Sequence, residues 1–308
     1  MLTYLIILLD DTSVSYCHYA SNGKKQRLID LDVLKRGIVW AMKENLNIQF
    51  VYPNYQLPED YRKAIETIDH TKIGPVNCGE ELDVVVIDEL SGELIDKKSY
   101  LWRCSLQELK DNKERVKEAL NNATRLNIVL TDIPQWKQNE LDVYKEVLEE
   151  FAKHILELYK QGKNAQLNLL TDRLLLDGMN NCNAGDSTVT LAPDGRFYVC
   201  PAFYPKESVG SLDEGLNIPN KQLYQLDHAP ICRACDAYQC RRCVWMNLQT
   251  TTDSNTPSHE QCVAAHLERN TSRLLQKKLE ELGIRLENSR EIPEIDYLDP
   301  FNIVNRWK

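Results

Sequence analysis

No stretch of this 308-residue chain is apolar for long enough to cross a bilayer. Its first apolar run, Leu2–Leu9, has no basic flank, stops at Asp10-Asp11 and is followed by no small-residue cleavage site. It is expected to be a first core strand rather than a signal peptide. An excess of basic residues is also missing: 37 Lys and Arg face 46 Asp and Glu, a formal charge of −9. That balance argues against nonspecific binding to nucleic acid or to an anionic membrane. Internal repeats and low-complexity tracts are absent. At 43% apolar and 27% charged residues the chain is globular, with length for one large or two ordinary domains. Ten cysteines without secretion signals point to a reducing cytosol, and to metal rather than disulfides.

The first half alternates between two periodicities. Tyr4–Leu9, Asn47–Tyr52, Leu82–Ile87, Leu126–Thr131 and Gln166–Leu170 read as strands. Asp32–Glu44, Pro58–Ile68, Leu106–Thr124 and Asn139–Gln161 read as helices. Continuous apolar strands separated by helices predict an α/β fold with a parallel sheet. About five βα units make an open sheet or a partial (β/α) barrel, short of a complete eightfold one. After about Asp172 strands become short. Thr188–Leu191 and Arg196–Val199 flank Pro193-Asp194-Gly195, a turn in which Gly195 supplies the positive φ. Val263–Leu282 resumes helical spacing, and the Pro-punctuated tail from Asn288 is expected to be extended.

Seven cysteines fall between Cys182 and Cys262, an odd number for a disulfide framework. Cys200 follows Gly195 in a Gly-x4-Cys step, Cys232-x2-Cys235-x4-Cys240-x2-Cys243 comes next, and Cys262 closes the series. Thiolates so close together read as ligands for soft metal centres, and seven suggests two centres. Iron–sulfur clusters are one reading. A structural zinc at Cys232, Cys235, Cys240 and Cys243 is the other, although the four-residue gap is short for a zinc ribbon and three cysteines stay unexplained.

The pattern Cys182-x12-Gly195-x4-Cys200, then four close cysteines, then Cys262, resembles the SPASM domain, the auxiliary-cluster module of peptide-modifying radical SAM enzymes. Cys182-Asn-Ala-Gly185, the hairpin Pro193–Cys200 and Val209-Gly-Ser-Leu212 agree with it. The inner spacing of two, four and two departs from the family's usual two, five and three. The resemblance assigns Cys182, Cys200 and Cys243 to a first auxiliary 4Fe–4S cluster and Cys232, Cys235, Cys240 and Cys262 to a second. Thr188 stands where some members have a further cysteine, which leaves the first cluster an open iron or a peptide or solvent ligand. Arg233, Arg241 and Arg242 lie among the ligands, where they would offset cluster charge or be solvated loop charges.

Radical SAM enzymes carry Cys-x3-Cys-x2-Cys after their first strand. Here Tyr16-Cys17-His18-Tyr19 resembles the end of that motif, and the other ligand positions hold Asp10 and Val14. Tyr52–Pro58 lacks the Gly-Gly-Glu that would receive the SAM amino group. The N-terminal half thus resembles a degenerate radical SAM scaffold, with no SAM expected. The opening segment Leu5–Tyr19 together with the SPASM pattern resembles the CXXX repeat peptide maturase family of bacterial ribosomal-peptide systems. The resemblance implies two auxiliary 4Fe–4S clusters, a cysteine-repeat precursor peptide and a partner radical SAM enzyme. A zinc-stabilised, non-redox binding or scaffold module is the alternative. The implied division is a partial βα barrel over 1–175, a SPASM-type domain over 176–270, and a helix and tail over 271–308.

Other residues carry weaker signals. Cys17 and His18 form a conceivable nucleophile pair, but neighbours on one loop rarely face each other. His259, three residues before Cys262, is a conceivable substitute ligand. His70, His154, His228 and His266 read as surface or packing residues, and Cys78 and Cys104 as ordinary buried thiols.

Overall fold

The computed structural model describes residues 1–20, 25–90, 98–176, 182–237, 240, 242–286 and 292. Arg241 and nearly all of the tail from 288 lie outside them. Strand β1 (Tyr4–Leu8) is buried along Leu5–Leu8. Helix α1 (Leu31–Lys43) starts at Asp30, whose carboxylate accepts from the Asp32 N–H at 2.8 Å, and it buries Leu34, Gly37, Ile38 and Ala41. Strand β2 (Asn47–Val51), helix α2 (Glu59–Ile65), β3 (His70–Pro75) and β4 (Val84–Ile87) follow. Next come β5 (Ser99–Cys104), α3 (Leu106–Asp111), α4 (Lys113–Asn122), β6 (Arg125–Leu130), α5 (Gln138–Lys160) and the one-turn α6 (Asp172–Leu175). The remainder is β7 (Thr188–Leu191), β8 (Arg196–Tyr198), β9 (Ser208–Ser211), β10 (Gly215–Leu216), α7 (Val244–Thr251) and α8 (His259–Glu281).

Two compact units result, each made from two stretches of chain. The first joins Met1–Asp88 to Asn183–Gln225. Its strands run β10-β9-β8-β7-β1-β2-β3-β4. Pairing is parallel from β7 to β4 and antiparallel from β7 outward to β10. Of the two forms left open by the sequence, this is the open sheet; it does not close into a barrel. Thr188–Leu191 does form the expected hairpin with β8, and Gly195 in its turn has φ +77. The other edge of β7 pairs with β1, Tyr4 opposite Thr188 and Ile7 opposite Leu191, so the change of texture after Asp172 does not end the sheet. Helix α1 lies close on β7: a Cβ at Gly37 would stand 2.4 Å from Leu191 Cδ2.

The second unit joins Glu89–Cys182 to Leu226–Lys308. Strands β5 and β6 pair in parallel, Ser99 opposite Arg125 through Cys104 opposite Leu130. Two expectations need correction here. Leu106–Thr124 is two helices, because the Asn112 side chain donates to the Glu108 carbonyl at 2.8 Å and competes with the helical ladder. Gln166–Leu170 makes one bridge, Leu126 to Leu167, rather than a strand. The buried Asn168 amide meets the Ile128 N–H at 2.8 Å and its carbonyl at 2.9 Å, doing with a side chain what a strand would do with backbone. Strands β3 and β5 were not legible, since His-Thr-Lys in one and Ser-Tyr and Arg in the other break up the apolar run. Long helices α5 and α8 pack together, held by the buried Arg173 and by Tyr144, which donate to Glu268 at 2.7 and 2.6 Å.

Candidate metal centre

Five of the clustered cysteines follow Leu226 and belong to the second unit, where tight turns replace regular structure. A 3₁₀ turn spans Cys232–Ala234 and closes with the Cys235 N–H donating to the Cys232 carbonyl at 3.1 Å. The Cys240 N–H donates to the Ala237 carbonyl at 3.0 Å. Arg242 is buried with φ +38, in the left-handed region, and its guanidinium donates to Asn255 at 3.2 Å. Cys243 is buried and caps α7, its Sγ accepting from the Met246 N–H at 3.5 Å.

Helix α8 forms the opposing wall. Ser258 caps it by accepting from the Gln261 N–H, and i, i+4 spacing then places Gln261, Cys262, Ala265, His266 and Arg269 on one face. Asp236 is fully buried and forms ion pairs with Arg269 and, at 3.7 Å, with Arg273, tying the cysteine loop to the helix. Beside it, Cys235 Sγ accepts from the Ala237 N–H at 3.3 Å and lies 3.3 Å from His266 Nε2.

Cys232, Cys235, Cys240 and Cys262 line one apolar cavity of about 180 Å³, together with Arg242 and His266. They are the four residues that the resemblance to SPASM assigns to a second cluster. The cavity is about six times the share of one liquid water, near 30 Å³. A tetrahedral zinc would draw its ligands to about 2.0–2.3 Å from a single point. Among the described residues, no three of these thiols have sulfurs within 4.8 Å of one another; the group that does meet that spacing is Cys235, Asp236 and His266. Gln261 is 7% exposed, and its buried amide oxygen has no hydrogen-bond partner at the cavity wall. Four soft donors spread around an apolar space, with an unmet polar atom beside it, fit a polynuclear iron–sulfur centre.

Burial dominates the electrostatics of these thiols. Burial pushes the Cys232 thiol up to about 11 against the pull of Arg242. Burial likewise pushes Cys240 up to about 12, opposed by the Arg242 backbone N–H, and raises Cys262. His266 is lowered by burial and by Arg269, with Asp236 opposing.

The remaining expected ligands lie elsewhere. Cys182 is half-buried at the end of the second unit's first stretch; Cys200, also half-buried, belongs to the first unit, before the 3₁₀ turn Pro201–Phe203. His259 is exposed at the first turn of α8 and does not line the cavity, whereas His266, read as a packing residue, does. The missed signal was its i+4 position after Cys262. Arg233 is exposed. Cys78 and Cys104 are buried as expected.

In the first unit the loop after β1 is closed on itself. Asp10 is fully buried, its carboxylate accepting from the Thr12 N–H at 2.8 Å, from the Thr12 hydroxyl at 2.5 Å, and from the Tyr55 hydroxyl at 2.9 Å. Ser13 Oγ donates to the Val51 carbonyl at 2.8 Å, and the Val14 N–H donates to the Tyr52 carbonyl at 3.0 Å. Asp11 pairs with Arg27 at 3.1 Å and accepts from Tyr204.

No family model matches the chain, and no curated protein matches it in sequence. Solved structures do. The chain shares its fold with anSMEcpe. Histidine-tagged anSMEcpe with bound AdoMet superposes with a TM-score of 0.55 at 12% identity, covering 91% of this chain and 96% of that one. Native anSMEcpe with bound AdoMet and Cp18Cys peptide gives 0.55 at 13% identity, covering 91% and 100%. Streptococcus suis SuiB bound to precursor peptide SuiA gives 0.46 at 12% identity over 70% and 63%. Among the described residues no helix is long and apolar enough to cross a membrane.

Proposed function

We propose that this chain is a cytoplasmic iron–sulfur protein of a bacterial ribosomal-peptide maturation system, close in kind to the CXXX repeat peptide maturases. It binds precursor peptide, relays electrons for a partner radical SAM enzyme, or does both. The observation that carries the reading is the single cavity lined by Cys232, Cys235, Cys240 and Cys262. These four would hold one 4Fe–4S cluster, and Cys182, Cys200 and Cys243 would hold another. When bound, such clusters supply one-electron transfer. Arg242, buried in the wall, offsets the thiolate charge, while Asp236 with Arg269 and Arg273 keeps the Cys235 loop against α8. The fold it shares with anSMEcpe, which has been crystallised with bound peptide, supports a peptide substrate.

The same reading takes the first unit as a scaffold that no longer cleaves SAM. Asp10 stands where the first thiolate ligand of the radical SAM motif would be, and its carboxylate is already engaged by Thr12 and Tyr55. The second reading is a zinc-stabilised, non-redox peptide-binding or scaffold module. It is favoured by the close grouping of Cys235, Asp236 and His266. Iron and acid-labile sulfide analysis of anaerobically purified protein separates the two. About eight irons and eight sulfides per chain support the iron–sulfur protein, and one zinc without sulfide overturns it.

A further inference from the structure

We infer that His266 is a positioning residue of the second cluster site, donating its Nε2–H to Cys235 Sγ and raising the reduction potential of whatever iron–sulfur cluster those thiols hold. The inference rests on the assignment of a cluster to Cys232, Cys235, Cys240 and Cys262. Three observations lead to it. His266 Nε2 lies 3.3 Å from Cys235 Sγ, within hydrogen-bonding reach of sulfur. The imidazole lines the apolar cavity, where a low local dielectric strengthens that bond. The ring is carried by α8 one turn beyond Cys262, so the helix that supplies one ligand also supplies a donor to another.

His266 is a donor here rather than a fifth ligand. Four thiols already meet the ligand demand of a 4Fe–4S cluster. Asp236, the third member of the close group, is committed to Arg269 and Arg273, and two guanidiniums beside it disfavour a separate divalent cation. A hydrogen bond to a ligating sulfur withdraws electron density from it and stabilises the reduced, more negative cluster. Cys235 also accepts from the Ala237 N–H, so His266 would be its second donor.

The test uses the full chain in a Cys200→Ala background, which leaves the second cluster site intact and removes a proposed ligand of the first. Two variants are compared, His266→Phe, which keeps bulk and loses the donor, and His266→Gln, which keeps an N–H. Reduction potentials are read by electron paramagnetic resonance during anaerobic dithionite titration, with iron and sulfide measured on the same samples. Expected is a lower potential in His266→Phe by at least tenfold in the one-electron equilibrium, about 59 mV. His266→Gln should fall between, with iron and sulfide unchanged in both. An unchanged potential in fully loaded His266→Phe overturns the donor role. Loss of iron from both variants also overturns it, making His266 a ligand. A chain that holds no sulfide even with His266 in place fails at the cluster assignment itself and takes the donor role with it.

Discussion

Tyr55 donates its hydroxyl to the fully buried Asp10 carboxylate at 2.9 Å, joining the loop after β1 to the segment after β2. The resemblance drawn from the sequence puts Asp10 at the position of a first cluster cysteine and Tyr55 in the segment without Gly-Gly-Glu. Burial, then the bond to Asp10, pushes the Tyr55 phenol upward, so its hydroxyl keeps the proton it donates.

The first expected outcome follows from that pair. Reconstituted, dithionite-reduced protein should produce no 5′-deoxyadenosine from S-adenosylmethionine above a protein-free blank. Chromatographic detection of that product would overturn the scaffold reading.

Asp10 should be worth stability rather than chemistry. Asp10→Ala removes the acceptor of the Thr12 N–H and of the half-buried Thr12 and Tyr55 hydroxyls, a loss of about 1–3 kcal/mol. Urea unfolding of the variant should show a loss of that order, with bound iron unchanged.

Cys235 tests whether metal binding organises the second unit. If it does, binding energy there is folding energy. Cys235→Ala should lose about one cluster's iron, near four atoms, and expose the chain after Leu226 to protease, while the first unit stays resistant. Unchanged iron and an unchanged digestion pattern would show that Cys235 is not a ligand.

The buried ion pair between Asp236 and Arg269 gives a sharper contrast. Removing one partner of such a pair typically costs about 3–5 kcal/mol, because the other is left charged and buried. Asp236→Ala should therefore lower stability in urea by that order and impair iron retention. A double Asp236→Ala/Arg269→Leu variant should recover part of the stability loss. A loss in the double variant equal to the sum of the Asp236→Ala and Arg269→Leu losses would show that the pair does not couple.

Association with partners is the remaining expectation. The chain should co-purify anaerobically with a complete radical SAM enzyme or a cysteine-containing precursor peptide, with a dissociation constant on the order of tens of micromolar or tighter. The full chain is the proper bait. Removing 271–308 would take the buried Leu275 and Leu279 out of the core and unfold the helix that carries Cys262. Absence of both associations favours the zinc-stabilised module.

Local chemistry was legible from the residues alone. The Pro193-Asp194-Gly195 turn, with its left-handed glycine, and the helical stripes of α1, α5 and α8 depend on neighbours a few positions away. The Cys-x2-Cys spacing marked the candidate metal segment for the same reason. Tertiary structure alone decided what lies far apart in the chain. Pairing of β7 with β1 joins residues about 180 positions apart, and no periodicity announces it. Asn168 replaces a strand because its amide happens to face Ile128. His266 reads in sequence as a surface or packing residue; only the meeting of α8 with the cysteine loop brings it to Cys235, and Asp236 to Arg269. Spacing along the chain could nominate seven thiols; only packing of that loop on a helix brought Cys232, Cys235, Cys240 and Cys262 around one apolar space, since enclosure is a property of surfaces in contact and not of sequence.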